Sequence, residues 1–376
     1  METKRIKVTV CCRLPVKAYF GGIATIVKKY MDRADLFSAE EVELSLFDFH
    51  DEKAEAVKNQ KLRNILYWKS FRRAARAYCK QNRPDLFHIH TARELLFLRD
   101  VLVGASIARS YHIKCALTIH VGAASTVFNR IPKPLHKYLI NCLNKYFSHV
   151  FFLSEEIMRS FIAMGLRQEI CSVLYNFHDM PSPSEKKCDP ELLRCLFVGA
   201  IQREKGIIEL MDAFDALKNG GYRFRLDICG LINDSSVQQR FDEFCKNNKD
   251  FVTAHGYVTG SEKERLFSDA DVLILPSYHE GMPLVVLEAL ASGCAVISTR
   301  VGTTPEILGE ENALWVEIGD EKTLANAIFA LASDPARLKA MQKANLQLAD
   351  KFALKTHVKD LCSIYRSIVL SKKGED

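Results

Sequence analysis

Short apolar runs recur along the chain, separated by longer stretches in which apolar residues return every three or four positions. IKVTVCC (6–12), VELSLFDF (42–49), DLFHIH (85–90), CALTIH (115–120) and HVFFLS (149–154) have the pattern of strands. Between them IATIVKKYM, LLFLRDVLVGASIAR, LHKYLINCLNKYF and EEIMRSFIAMG have helical spacing, the last closing on Gly165. Strands that alternate with helices predict a parallel α/β arrangement. Near Met180 the alternation breaks in DMPSPSEKKCDPE, a proline-, serine- and charge-rich stretch expected to be a linker. It then resumes: LRCLFVGA, YRFRLDICG, FVTAHGYV and DVLILPS as strands, with GIIELMDAFDALKNG and SVQQRFDEFCKN as helices. SEKERLFSDA reads as a short helix capped by Ser261, and KTHVKDLCSIYRSIVL as a closing amphipathic helix. The expectation is a first doubly wound domain over 1–182, a second over 183–352, and a segment 353–376 that packs back on the first.

Composition narrows the class. Of 376 residues, 48% are hydrophobic and 26% charged, the profile of a globular protein. No apolar run approaches the roughly 20 residues that cross a bilayer. The N-terminal METKRIKVTVCC has no signal-peptide core, which predicts a cytoplasmic protein. The 12 cysteines are scattered through apolar segments without CxxC pairs, and are expected to be reduced core thiols. The net charge of +6 is unevenly spread: residues 1–180 carry 28 Lys and Arg against 17 Asp and Glu. Residues 53–83 alone hold ten basic residues and one acid, interleaved with Tyr67, Trp68, Phe71 and Tyr78. This pattern suits an anionic partner, either a phosphorylated ligand or the inner face of the cell membrane, or it is a solvated helix face. No nucleic-acid-binding signature accompanies it.

The most informative stretch is HEGMPLVVLEALASG (279–293), which sets Glu280 and Glu288 with seven residues between them beside buried-looking structure. Pro283 suits the first turn of a helix and Gly293 its left-handed end, so Tyr278–Met282 forms a loop after a parallel strand. That edge is where open α/β sheets bind ligands. A helix start there suits a phosphate, while carboxylates accept hydrogen bonds from vicinal hydroxyls. A nucleotide diphosphate sugar meets all three demands. Glu280 would hold the transferred sugar, backbone N–H groups the diphosphate, and Glu288 the ribose diol.

This stretch, with Val301-Gly302-Thr303-Thr304-Pro305-Glu306 after it, resembles family 4 of the retaining glycosyltransferases. The resemblance continues through FVGAIQREKGIIEL, LDICG, HGYV and DPARLKAM, and more loosely through Gly21-Gly22, HIH, TIH and NFHD in the first half. It implies the GT-B fold, an α/β architecture of two Rossmann-like doubly wound domains facing across a cleft and closing over the donor. It implies that Glu280, Lys205 and His120 carry catalysis, Lys205 by meeting the charge of the departing diphosphate. Arg203 would assist; relatives place an Arg where this chain has Ala200. The implied donor site is completed by Gly21, Gly22, Gly230, Tyr257, Val258, Gly281, Met282, Pro283 and Leu284. His90, Gly302, Thr303 and Glu306 are further candidates. No metal site is expected, because Asp269-Ala-Asp271 reads as a helix end and a strand start. No cofactor is expected beyond a UDP- or GDP-linked sugar as co-substrate. The acceptor would be a glycan or lipid-linked glycan of surface polysaccharide, lipopolysaccharide or glycolipid synthesis. Two rivals share the architecture: a sugar-nucleotide 2-epimerase and a catalytically silent nucleotide-sugar or glycan-binding protein.

Overall fold

The computed structural model describes residues 5–14, 22–92, 95–121, 127–129, 131–181, 189, 191–218, 220 and 223–371. Most of the predicted linker, and Gly21 with it, lie outside the described residues. The chain forms two compact units: Met1–Asn176 together with Lys355–Asp376, and Phe177–Leu354.

The first unit is a six-stranded sheet of β1 (Ile6–Cys11), β2 (Val42–Phe47), β3 (Leu86–Thr91), β4 (Lys114–Ile119), β5 (His149–Phe152) and β6 (Cys171–Val173). Its order is β2-β1-β3-β4-β5-β6 and every pairing is parallel. Helices α1 (Gly22–Asp32), α2 (Gln60–Asn82), α3 (Leu95–Tyr111) and α4 (Lys133–Tyr146) flank it. β3 is buried at every position, and Phe87, Ile89, Leu117 and Phe152 share a core with Phe97 and Val101 of α3 and Leu139 and Leu143 of α4. Each such side chain stabilises the fold by roughly 1.5–3 kcal/mol. The C-terminal helix Leu354–Leu370 is tied into this unit from several sides. Arg366 donates to the backbone and carboxylate of Glu40, and Lys114 Nζ to the carbonyls of Ile368 and Val369 in its last turn.

The second unit contains β7 (Leu192–Val198), β8 (Arg223–Cys229), β9 (Val252–Gly256), β10 (Val272–Leu275), β11 (Ala295–Thr299) and β12 (Ala313–Val316). The order is β12-β11-β10-β7-β8-β9, again wholly parallel. Helices α5 (Ile207–Leu217), α6 (Gly260–Asp269) and α7 (Leu284–Ala291) carry the residues of interest. Phe197, Leu226, Ile228, Ile274 and Ile297 form its core with Leu210 and Phe214 of α5. In both sheets the chain winds outward in one direction and then restarts beside the first strand. The reversal lies between β1 and β3 in the first sheet and between β7 and β10 in the second. Both units are therefore Rossmann-like, and each reversal opens a crevice at the strands' C-terminal ends.

Three local expectations are corrected. FVTAHGYV stops being strand at Gly256, where φ is +69°, so Tyr257 and Val258 follow the strand. The helix over 260–269 begins one residue before Ser261, with Thr259 as its boundary, so Ser261 lies in the first turn rather than at the cap. Pro283 precedes α7 instead of sitting within it: its ψ of 116° is extended. Gly293 does end that helix in a left-handed turn, at φ +63°.

Candidate active site

The reversal in the second sheet brings the loop after β7 beside the loop after β10. Gly206 sits at the contact with φ +71°, and a Cβ there would lie 2.1 Å from the carbonyl oxygen of Pro276. Only glycine allows the two backbones to approach so closely. The contact is reinforced on either side. Tyr278 N donates to Glu204 O at 2.9 Å, and the Tyr278 hydroxyl donates to Glu209 Oε1 of α5 at 2.6 Å. That carboxylate, accepting from the phenol, holds the Tyr278 pKa above its ordinary value.

The loops so joined present Lys205 to Glu280. Lys205 Nζ donates to Glu280 Oε1 at 2.6 Å, with the acid side chain 9% exposed and the base 25%. A third loop, after β11, closes on the same point. Thr303 N donates to Gly281 O at 2.9 Å, and Gly302 adopts φ +56° where a Cβ would meet the Gly281 carbonyl oxygen at 2.3 Å. The structure thus gathers Lys205, Glu280, Gly281, Gly302 and Thr303 from three parts of the chain. Met282 and Pro283 are buried beneath, and Leu284 opens α7.

Glu288 lies one turn further along α7 and is buried. Its charge is met by Lys263 of α6, whose Nζ is 2.7 Å from each carboxylate oxygen. Sequence reasoning missed Lys263. The only available signal was general: a carboxylate facing a core needs a cation. Arg203 turns elsewhere, its Nε 3.5 Å from Ser236 Oγ on the neighbouring helix, so it does not join the Lys205–Glu280 pair. Gly230 follows β8 and donates to Gly256 O at 2.7 Å. Tyr257 is exposed and Val258 buried just beyond β9, and Glu306 is exposed on the short helix Thr304–Ile307. Asp271 accepts from the backbone N–H of Arg194 at 2.9 Å, and Asp269 pairs with Arg265 on the helix surface, so each has a structural partner. Among the described residues, no cluster of His, Cys, Asp or Glu has the form of a metal site.

In the first unit, Gly22 begins α1 with open space where a Cβ would be. His90 lies near the end of β3 and His120 follows β4. Nδ1 of His90 is 2.9 Å from Nε2 of His120. Behind them His88 is held on both ring nitrogens, by Tyr365 Oη at 2.6 Å and Thr118 Oγ1 at 2.7 Å. Tyr30 and His357 bond at 2.5 Å, and the second nitrogen of His357 is 3.0 Å from Tyr175 O. Burial lowers these imidazoles, His88 and His120 to about 3 and His357 to about 4, so all are neutral near pH 7. His88 and His357 were not anticipated, since a histidine's partners come from distant segments.

A family model described as glycosyl transferases group 1 matches residues 193–334, and one described as glycosyltransferase family 4 matches residues 34–180. An uncharacterised glycosyltransferase of Methanocaldococcus jannaschii is 25% identical over 93% of this chain and 95% of its own. The chain spans about half the length of other curated relatives it matches. Among solved structures, sucrose-phosphate synthase of Thermosynechococcus elongatus has a TM-score of 0.75 at 19% identity, covering 97% of this chain and 99% of that one. HepE of Anabaena, solved in complex with UDP-glucose, has a TM-score of 0.67 at 16% identity over 96% and 99%. These structural likenesses show the GT-B fold.

Proposed function

The chain belongs to glycosyltransferase family 4, and from that premise we propose that it moves a sugar from a nucleotide diphosphate sugar to a glycan or lipid-linked acceptor, with retention at the anomeric carbon. The observation that carries the reading is the Lys205–Glu280 pair at the reversal point of the second sheet, beside the start of α7. In the resting protein each partner neutralises the other. A bound donor divides them: Lys205 turns to the diphosphate, and Glu280 accepts from hydroxyls of the transferred sugar.

Charge on the leaving diphosphate grows as the glycosidic bond breaks. A cation fixed nearby therefore stabilises the transition state more than the ground state. The first-turn N–H groups of α7 lack intrahelical acceptors and add to this. The leaving group's charge is met in this way by the protein itself. Glu288, 2.7 Å from Lys263 Nζ, keeps lone pairs for a ribose diol. The acceptor hydroxyl would attack on the face from which the diphosphate departs and give its hydrogen to the departing oxygen, through an oxocarbenium-like transition state, and the product would retain configuration. HepE, the fold neighbour solved with UDP-glucose, supports a nucleotide-sugar donor here.

The acceptor side is read from the first unit. On α2, Leu62, Ile65 and Leu66 are exposed at helical spacing among Arg63, Lys69, Arg72 and Arg73, and Leu95 and Leu96 are exposed at the start of α3. Exposed leucines within a basic field suit an anionic lipid surface carrying the acceptor. Among the described residues no helix is long and apolar enough to cross a membrane. A thermal-shift screen of nucleotide sugars tests the donor. A true donor raises the melting temperature in the unsubstituted chain and not in Lys205→Ala. No shift with any UDP- or GDP-linked sugar would refute the reading.

A further inference from the structure

The imidazole pair of the first unit has a feature that the proposed chemistry does not use. Only one hydrogen can lie between Nδ1 of His90 and Nε2 of His120, so one ring donates and the other accepts. The far nitrogen of His90 decides which. Its Nε2 is buried, and no described residue pairs with it. Were His120 the donor, the hydrogen of His90 would sit on that Nε2, burying an N–H without an acceptor. With His90 donating through Nδ1, Nε2 is instead a bare acceptor. Folded proteins tolerate an unsatisfied acceptor more readily than an orphaned N–H. Each neutral ring carries one hydrogen, so His120, accepting on Nε2, must carry its own on Nδ1.

We propose that His90 is a positioning residue that locks His120 as an Nδ1–H donor for a hydroxyl of the sugar-bearing ligand. Neighbouring groups hold the pair in place. The His88 ring, pinned at both nitrogens, lies 4.6 Å from that of His90, and Tyr30 meets His90 edge-on at 6.1 Å. The backbone N–H of His120 is fixed on Thr91 O at 2.9 Å. The His120 ring is only half buried, and among the described residues nothing pairs with its Nδ1. A hydroxyl is the complementary group: it accepts from Nδ1–H and remains free to donate one hydrogen bond of its own. The hydroxyl ligand rests on the function proposed above; the tautomer does not.

Long-range proton–nitrogen correlation spectra of the full chain labelled with 15N-histidine read the tautomers directly. Peaks are assigned by their loss in His120→Gln and His90→Asn. The expected result is Nδ1–H on both rings of the unsubstituted protein. His90→Leu should turn His120 into a mixture. His90→Asn, whose amide nitrogen stands near the place of Nδ1, should restore the single form. With UDP-glucose and GDP-mannose as donor probes, His90→Leu should lose about tenfold in turnover, the worth of one hydrogen bond, and His90→Asn should recover most of it. Nε2–H on His120 in the unsubstituted chain overturns the proposal. So does an unmixed tautomer, or unchanged turnover, in His90→Leu. Absence of any melting shift with nucleotide sugars would count against the function alone and leave the tautomer result standing.

Discussion

The two units are the same kind of sheet, yet they hold polar groups at their strand ends in opposite ways. The second uses full charges: Lys205 with Glu280 and Lys263 with Glu288, each pair about three-quarters or more withdrawn from water. The first uses neutral rings and phenols there, His88, His90, His120 and His357 with Tyr30 and Tyr365, and its buried ion pair, Arg99 with Asp100, lies on α3. Ion pairs cost desolvation and are worth little as stabilisers. They are useful where a charged ligand can replace one partner with another. A neutral network cannot trade charge, but it fixes directions of donation. On the proposed function, the second unit would manage the charge of the leaving group and the first would manage hydroxyls.

The largest test of that division is removal of the two ionic partners that would face the donor. Lys205→Ala and Glu280→Ala should each lower kcat by about 100-fold to 1,000-fold, the usual loss when a group stabilising developing charge is deleted. Initial-rate sugar transfer measures this. A loss under about fivefold in both would remove the charged unit's assigned role. Lys263→Met should act on stability, leaving the buried Glu288 carboxylate uncompensated. The expected cost is about 2 kcal/mol, below the range for fully buried pairs because Lys263 is a quarter exposed. Adding Glu288→Gln should return most of it. Denaturant unfolding of the single and double variants decides the point.

Acid separates the units more cleanly. Five histidines of the first unit, His88, His90, His120, His149 and His357, are lowered by burial. Unfolded, each would titrate near 6.5. The unfolded chain therefore takes up protons between that pH and the folded values, about 3 to 4 for four of the five, while the folded chain does not. Their contribution is intact above pH 6.5 and is lost as pH falls below it, by up to about 1.4 kcal/mol per histidine per pH unit. Hydrogen exchange between pH 7 and 5 should show amides of the first unit losing protection before those of the second. Equal loss in both would contradict the contrast.

How much of this was legible in the sequence follows from where each partner lies. The strands read well because parallel strands buried on both faces are short unbroken apolar runs, as in β3 and β10. The placement of Glu280 on a loop and Glu288 on the helix after it was legible because loop, helix and both acids are contiguous. Lys263 was invisible: it meets Glu288 from 25 positions upstream, through a helix whose place depends on the strand order. The same holds for Tyr365 and His88, which are 277 positions apart. Arg203 and Lys205 are near neighbours on one turn, and no periodicity says that one turns to Ser236 and the other to Glu280. The residues missed are those whose partners topology supplies.

The smallest expected effect bears on the neutral side of the comparison. Tyr365 is fully buried on the C-terminal helix, and its hydroxyl meets Nδ1 of His88 at 2.6 Å. Tyr365→Phe keeps the ring and its packing and removes only that hydroxyl. His88 can leave its hydrogen on Nε2, facing Thr118, and strand Nδ1 as a bare acceptor. The penalty should then be a neutral group's, about 1 kcal/mol, with no change in net charge and no new dependence on ionic strength. Thermal unfolding at low and high salt measures both. A cost above about 3 kcal/mol, or one that fades with salt, would mean that His88 carries charge in the folded protein, and the distinction between a neutral unit and a charged one would fail at its simplest residue.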